Sequence, residues 1–206
     1  MKLKEIFSKI IKNLDEIDTE REEILKISRQ MIRNCSVAIK SIHRKEFNIY
    51  QEKIDEIKRN HANLLTIVEK NPHIFSRYLK TPEQEFIEAI CLHAIIKKLD
   101  LPDPADYNVS DVNYLLGLAD VIGELRRFIL DKIRNGEIDD LDQILNDMED
   151  IYSYLFSLDY PKGITQDLRR KTDVARGIIE KTRGDISLSI QMNELKKHMN
   201  KNKQPD

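Results

Sequence analysis

Apolar residues recur every three or four positions along most of the chain, which is the spacing of an amphipathic helix. The pattern predicts a long helix over residues 19–45, with Asp18-Thr19 as its cap, after a short helix over about 2–14. A second long helix is predicted over 46–70, with its end at Pro72, because proline disfavours helical backbone in the residue before it. The first long stripe consists of Ile24, Ile27, Met31, Cys35, Ala38 and Ile42.

The second half of the chain carries helix start and stop signals. Thr81-Pro82-Glu83-Gln84 places a hydroxyl cap, a proline and a capping-box glutamine in order, which predicts a helix from there to about Leu99. Ser110 is the expected cap of a helix that ends at Asn135-Gly136. Three further helices are expected over 139–157, 164–182 and 185–199, with a turn at Pro161-Lys162-Gly163.

The sequence shows no strand alternation, no glycine-rich nucleotide fingerprint and no repeat of fixed period. We therefore predict an all-α protein built as a long antiparallel helical bundle. A single helical domain is expected over residues 1–200, followed by a polar tail over 201–206.

Composition narrows the class of protein. Of the 206 residues, 40% are hydrophobic and 34% are charged, and no run of about 18 apolar residues occurs, so no membrane span is expected. Because the N-terminus also lacks the pattern of a signal peptide, we predict a cytoplasmic protein in which Cys35 and Cys91 are reduced core residues. The net charge of -2 argues against a generally basic surface but leaves room for a concentrated basic face.

Four carboxylates in apolar sequence are the strongest chemical signal. Glu85 and Glu88 are three residues apart, and Asp120 and Glu124 are four apart, so each pair lies on one face of its helix. Like charges at these spacings destabilise a helix unless a cation, a proton or a partner compensates them. Around the second pair the helix is apolar nearly all round, and Gly117 and Gly123 would permit the close approach of another helix.

Two explanations of the carboxylates are left open by the residues alone. Converging carboxylates would suit Mg²⁺ or Mn²⁺, which favour oxygen ligands. Alternatively, the acids form structural salt bridges, with Arg126, Arg127 or a neighbouring helix as the partner. A di-iron bundle is the weaker option, because it requires Glu-x-x-His on two helices, and His93 lies off the face of Glu88.

Basic residues are candidates for contacts with a nucleic-acid backbone. Arg77 and Lys80 flank Tyr78, which could stack on a base, just before the first acidic helix. Arg169 and Arg170 begin a second basic stripe near the end of the chain. For each of these residues a solvated helix face is the simpler alternative.

Three segments in order resemble the translin family, in particular its translin-associated factor X branch. They are Arg21-Glu22-Glu23-Ile24-Leu25-Lys26-Ile27-Ser28-Arg29, Gln84-Glu85-Phe86-Ile87-Glu88-Ala89 and Asn113-Tyr114-Leu115-Leu116-Gly117-Leu118-Ala119-Asp120-Val121-Ile122-Gly123-Glu124-Leu125. Two later segments extend the resemblance, which covers about residues 15–187: Asp167-Leu168-Arg169-Arg170-Lys171-Thr172-Asp173-Val174 and Lys181-Thr182-Arg183-Gly184. The Tyr-Leu-Leu-Gly-x-Ala-Asp-x-x-Gly-Glu-Leu run is the most specific of them.

The resemblance implies an all-α subunit of about seven helices that assembles into a closed, hollow oligomer and binds single-stranded RNA or DNA. In the factor X branch, acids matching Glu85, Glu88, Asp120 and Glu124 form a Mg²⁺-dependent ribonuclease site facing the interior. Plain translins lack much of this acidic set. The short connection at 100–110 and the small N-terminal extension fit a single-gene version that forms homo-oligomers, a hexamer or an octamer, as in archaea.

Our leading hypothesis is therefore a Mg²⁺- or Mn²⁺-dependent endoribonuclease acting on single-stranded or unpaired RNA. In it, Glu85, Glu88, Asp120 and Glu124 are both metal ligands and catalytic residues. The nucleic-acid contacts would come from Arg77, Tyr78, Lys80, Arg169 and Arg170. The alternatives are a translin-type protein that binds single-stranded DNA or RNA without cleavage, and a helical interaction protein with no nucleic-acid affinity.

Overall fold

The protein is all-α, as predicted. In the computed structural model, which describes residues 2–201, eight α-helices and two short 3-10 turns are present, and no strand occurs in that range. The helices are α1 (Leu3–His43), α2 (Phe47–Val68), α3 (Pro72–Phe75), α4 (Lys80–Ile96), α5 (Asp111–Arg134), α6 (Leu141–Phe156), α7 (Lys162–Thr165) and α8 (Leu168–Lys201). The 3-10 turns span Ser76–Tyr78 and Pro104–Tyr107.

Two predicted helix breaks are wrong. The chain runs as one helix from Leu3 to His43, and Thr19 donates its hydroxyl to the Asp15 carbonyl at 2.8 Å instead of capping a new helix. The predicted break near residue 183 is also absent from α8. There Arg126 of α5 bonds Thr182 and Asp185, at 3.0 and 2.9 Å, and these contacts favour continuous helix through Gly184.

Other boundaries agree closely with the sequence signals. The Ser110 hydroxyl accepts a hydrogen bond from the Asn113 amide at 3.3 Å and so caps α5, which ends at Arg134 before Asn135. By contrast, Thr81 lies inside α4 and is not its cap, and the predicted turn at 161–163 forms the start of the short helix α7.

The chain divides into two compact units after Phe86, so α4 contributes its first residues to one unit and the rest to the other. In the first unit, α1 packs along α2. The apolar stripe predicted for α1 is its buried face, and part of it joins residues of α2 and α3 in one cluster. That cluster consists of Ile24, Leu64, Ile67, Val68 and Phe75.

A buried polar pair joins α2 to the first turn of α4 in the same unit. His61 Nε2 and Glu83 Oε1 are 3.0 Å apart, and their side chains are only 5% and 2% exposed. The ring of Phe86 lies 5.8 Å from the His61 ring, so the pair is enclosed by apolar groups. Because buried polar atoms must be hydrogen-bonded, this pair fixes the position of the first turn of α4 on α2.

In the second unit, α5, α6 and α8 pack against one another. Helix α5 contributes a run of fully buried residues to this core: Leu116, Val121, Ile122, Leu125 and Ile129. Helix α8 contributes Ala175, Ile179, Thr182 and Ile186 to the same core.

The predicted single domain over 1–200 stays a prediction, and of the predicted tail over 201–206, Lys201 ends α8 while 202–206 lie outside the described residues. Between residues 2 and 201, no helix is both long and apolar enough to cross a membrane.

We expect Glu83→Ala to lower the free energy of unfolding by about 1–3 kcal/mol, because it leaves the His61 ring nitrogen buried without its carboxylate partner. Urea denaturation followed by circular dichroism would measure the loss. Glu52→Ala is the matched control, since Glu52 is an exposed glutamate of α2 paired with Lys53 and should change stability by less than about 1 kcal/mol. Equal effects of the two changes would contradict a structural role for the buried pair.

Candidate functional site

Asp120 and Glu124 lie on the partly exposed face of α5. Their side chains are 38% and 23% exposed, whereas Val121, Ile122 and Leu125 around them are fully buried. The two carboxylates therefore stand at the edge of the apolar core, where water only partly compensates their charge. A carboxylate in this position is stabilised by a nearby cation.

The cation beside Asp120 is Lys171, one turn into α8. Its ammonium Nζ forms a short ion pair with Asp120 Oδ2 and also donates to the Leu116 carbonyl at 3.3 Å. The Lys171 side chain is only 16% exposed, so most of its length is covered by protein. Because Leu116 and Asp120 are four residues apart on α5, both contacts lie on one face of that helix.

Glu124 has a different kind of partner. Arg127 Nη1 lies 3.5 Å from Glu124 Oε2, and the Arg127 side chain is half exposed. Such surface pairs contribute little stability. The other predicted partner, Arg126, points to α8, where it bonds Thr182 and Asp185.

Glu85 and Glu88 lie on α4 with partial exposure, between the fully buried Phe86, Ile87 and Ala89. They belong to different compact units, so each is described with its own unit: Glu85 with the first, and Glu88 with the second, which also holds Asp120 and Glu124. Both side chains interact with other groups of the protein.

The donor atoms of this acidic set suit a hard divalent cation, which favours oxygen ligands. Within residues 2–201, no three Asp, Glu, His or Cys side chains are grouped so that they could hold a metal ion. Two of the predicted ligands, Asp120 and Glu124, instead contact protein cations. The predicted Mg²⁺ or Mn²⁺ site thus stays a prediction, and the salt-bridge alternative has partners for two of its four acids.

Three titratable groups in the second unit have pKa values that burial shifts toward the uncharged form: Cys91, His93 and Tyr114. Burial raises the pKa of the Cys91 thiol to about 12, and its Sγ lies 4.0 Å from the Tyr114 hydroxyl, whose pKa burial also raises. Burial and the nearby Lys97 lower the pKa of His93, which favours its neutral form. Both cysteines are free and buried, as predicted.

Gly123 makes no close contact with another helix in the part of the chain that the structure describes. A Cβ atom built at Gly123 would meet nothing within 4 Å, so the face of α5 at this position is open. Gly117, by contrast, is buried. Within residues 2–201, no helix therefore makes the close approach predicted at Gly123.

The two predicted nucleic-acid contact groups lie in different units. In the first, the Arg77 guanidinium stands 4.9 Å from the Tyr78 ring centre and donates to its hydroxyl at 3.1 Å. The Tyr78 ring also packs near Phe75, with 6.4 Å between the ring centres, so part of the Tyr78 ring surface is covered by Phe75. Lys80 begins α4 and is half-buried.

In the second unit, Arg169 and Arg170 are exposed in the first turn of α8. They line a cavity of about 670 Å³ together with the exposed ring of Tyr160 and with Lys162. Three aspartates, Asp159, Asp167 and Asp173, line the same cavity and offset the positive charge of its three basic side chains. The cavity thus offers an aromatic surface and guanidinium groups without a strong net charge.

Sequence reasoning missed two pairings. Lys171 follows Arg169 and Arg170 in the sequence and so resembles a member of an exposed basic stripe, but the buried Leu168 and Thr172 beside it place it against α5. The sequence marks Glu83 only as part of a helix start, whereas it is 1% exposed and bound to His61. No local signal marks either partnership, because each joins residues more than 20 positions apart.

Relatives of known sequence place the chain in a family. The translin family profile matches residues 92–183, the segment that carries Asp120, Glu124 and Lys171. An uncharacterized protein of Methanocaldococcus jannaschii is 39% identical over 192 residues, which is 92% of this chain and 85% of that protein. The chain belongs to the translin family. Translin-associated protein X of Rattus norvegicus is 21% identical over 94% of this chain and 80% of its own length, which supports the factor X branch of the resemblance.

Solved structures show the translin fold over almost the whole chain. The structure described as the AfC3PO complex with duplex RNA has a TM-score of 0.82 and 29% identity, covering 90% of this chain and 97% of that one. The apo-NeC3PO structure has the same TM-score at 23% identity, over 89% of this chain and 96% of that one. The translin helical fold is thereby confirmed.

Replacing Gly123 tests whether a second molecule uses the open face of α5. Because a methyl group would meet no described atom within 4 Å, we expect Gly123→Ala to stabilise the isolated subunit by about 1 kcal/mol through helix propensity. Thermal unfolding would measure this, with Gly177→Ala as the control at another open glycine, on α8. If another subunit approaches at Gly123, only Gly123→Ala will lower the mass of the assembly in light scattering.

Proposed function

We propose that this translin-family protein is a cytoplasmic RNA-binding protein that cleaves RNA in the presence of Mg²⁺ or Mn²⁺. The observation that carries the proposal is the match over 90% of the chain to AfC3PO, a protein whose structure was determined with duplex RNA. The translin family profile covers residues 92–183, including the run around Asp120 and Glu124, which supports an acidic centre in addition to a binding surface. Because that complex contains duplex RNA, both duplex and single-stranded RNA belong among the candidate ligands.

The chain's own residues suit the two parts of this function differently. Arg169, Arg170 and Tyr160 combine guanidinium groups for phosphates with an exposed ring for a base, which is the chemistry of single-strand binding. Glu85, Glu88, Asp120 and Glu124 supply the charged oxygens of the proposed reaction centre. The contacts of Asp120 and Glu124 with protein cations mean that the single subunit does not present these oxygens as a finished metal site.

A specific observation favours a second function, RNA or single-stranded DNA binding without cleavage. Among the described residues no metal-ligand group is assembled, and Asp120 is compensated by Lys171. In this alternative, the acids of α5 are structural. Binding would then be unaffected by divalent cations, and no cleavage would occur.

We also propose that the protein acts as a homo-oligomer. The first four turns of α1 carry an apolar stripe whose members are 48–56% exposed: Leu3, Ile6, Phe7, Ile10, Ile11 and Leu14. A second stripe near the end of α8 is 52–61% exposed and comprises Leu188, Met192, Leu195 and Met199. Contiguous apolar faces of this kind mark protein-protein contacts, and a closed hexamer or octamer is the assembly we expect.

Cleavage of fluorescent RNA tests the proposed activity. We expect single-stranded RNA, duplex RNA or both to be cut in Mg²⁺ and left intact in EDTA. Glu88→Gln/Asp120→Asn should lower the rate by about a hundred-fold or more, since loss of charged oxygens at a reaction centre costs several kcal/mol. Glu180→Gln is the control, because Glu180 is an exposed acid of α8 that pairs with Arg176. Intact RNA that is still shifted on a gel would establish the binding-only alternative.

Light scattering tests the assembly. Phe7→Glu/Ile10→Glu should reduce the mass of the particle, because it places charge in the apolar stripe of α1. Lys9→Glu changes the net charge by the same amount at an exposed position of the same helix, and should leave the mass unchanged. An unchanged mass in the double variant would show that the stripe is not an assembly contact.

A further inference from the structure

We propose that Lys171 is a built-in counter-ion that occupies the cation position on Asp120, so that a divalent metal ion and the Lys171 ammonium compete for this carboxylate. The inference rests on the proposed function in one respect, that Asp120 belongs to the reaction centre. It assigns to Lys171 a positioning role: when no metal ion is bound, its ammonium holds the Asp120 carboxylate in place and neutralises its charge.

The contacts of Lys171 are those of a residue held in place. Its ammonium contacts both Asp120 Oδ2 and the Leu116 carbonyl, 3.3 Å away, so it is fixed by a charged and a neutral oxygen of the same helix. Hydrogen bonds in which a partner is charged are roughly twice as strong as neutral ones. Helix α8 brings the lysine there, since the fully or nearly buried Leu168, Thr172 and Ala175 anchor its first two turns.

Burial distinguishes this pair from the other ion pairs near the acids. The Lys171 side chain is 16% exposed, whereas Arg127, which contacts Glu124, is 50% exposed. An ammonium with so little water around it depends on its carboxylate for compensation. The surface arginine can move into solvent at little cost, whereas separating Lys171 from Asp120 removes a charge-assisted contact from a largely covered ammonium.

Both acids on this face of α5 contact protein cations: Asp120 contacts Lys171, and Glu124 contacts Arg127. With Lys171 on Asp120, one of the charges that a metal ion would use is already neutralised. A metal ion must therefore break the Lys171–Asp120 pair in order to bind. The free energy of that contact lowers the affinity of the protein for the metal ion.

Mn²⁺ titration of the full-length protein, by calorimetry and without RNA, tests the competition. Lys171→Met and Lys171→Gln should both tighten Mn²⁺ binding by about ten-fold, because the metal no longer has to displace a charge-assisted contact. In EDTA both variants should melt below the wild type, and Mn²⁺ should raise their melting temperatures more than it raises that of the wild type. Lys171→Arg, which keeps the charge, should bind Mn²⁺ as weakly as the wild type.

Two controls locate the effect. Lys181→Met removes an exposed lysine from the same helix, with the same change in net charge, and should leave the Mn²⁺ affinity unchanged. Asp120→Asn combined with Lys171→Met should abolish the gain in affinity. Unchanged Mn²⁺ affinity in both Lys171→Met and Lys171→Gln, or a gain that survives Asp120→Asn, would overturn the inference.

These outcomes are separate from those of the proposed function. If Lys171→Met tightens Mn²⁺ binding but the wild type cuts no RNA, the counter-ion role stands and the nuclease proposal fails. If the wild type cuts RNA while the Lys171 variants bind Mn²⁺ no more tightly, the nuclease proposal stands and Lys171 is only a structural partner of Asp120.

Discussion

A carboxylate at the edge of an apolar core must meet a cation, and this constraint organises the second unit of the protein. Asp120 stands on a helix whose neighbouring positions are fully buried, so water alone does not compensate it. Lys171 supplies the charge from α8 and bonds the Leu116 carbonyl as well. Since Arg126 ties Thr182 and Asp185 of α8 to α5 two turns away, polar contacts fix the register of these helices along with apolar packing.

In the first unit, the partner of a buried carboxylate is a histidine. His61 and Glu83 are enclosed together, beside Phe86, and hold the first turn of α4 on α2. Outside these cores, α1 and α8 extend beyond the residues that pack within the chain and leave apolar side chains exposed at their ends. The same helices that build each core therefore also present contact surfaces, which is consistent with a subunit whose work is done in an assembly.

Most of the helical structure follows from local chemistry. The spacing of Ile24, Met31 and Ile42 defines the buried face of α1, and Ser110 marks the start of α5, because periodicity and capping act over a few residues. The errors fall where tertiary contacts replace local ones. The Thr19 hydroxyl donates to the Asp15 carbonyl within its own helix, and Arg126 forms an ion pair with Asp185. The helices therefore continue through both positions where the sequence predicts a break.

By itself the sequence determined the all-α class, the family and the positions of the four acids on their helix faces, since a helix fixes which residues share a side. It also showed that such acids need compensation. Only the tertiary structure decided that Lys171 compensates Asp120 and that His61 binds the neighbouring Glu83. Arg127, which contacts Glu124, was already a candidate partner from the sequence. The Lys171 and His61 partners lie 51 and 22 residues away in the chain, and no local pattern specifies which distant side chain the packing of two helices will bring to a carboxylate.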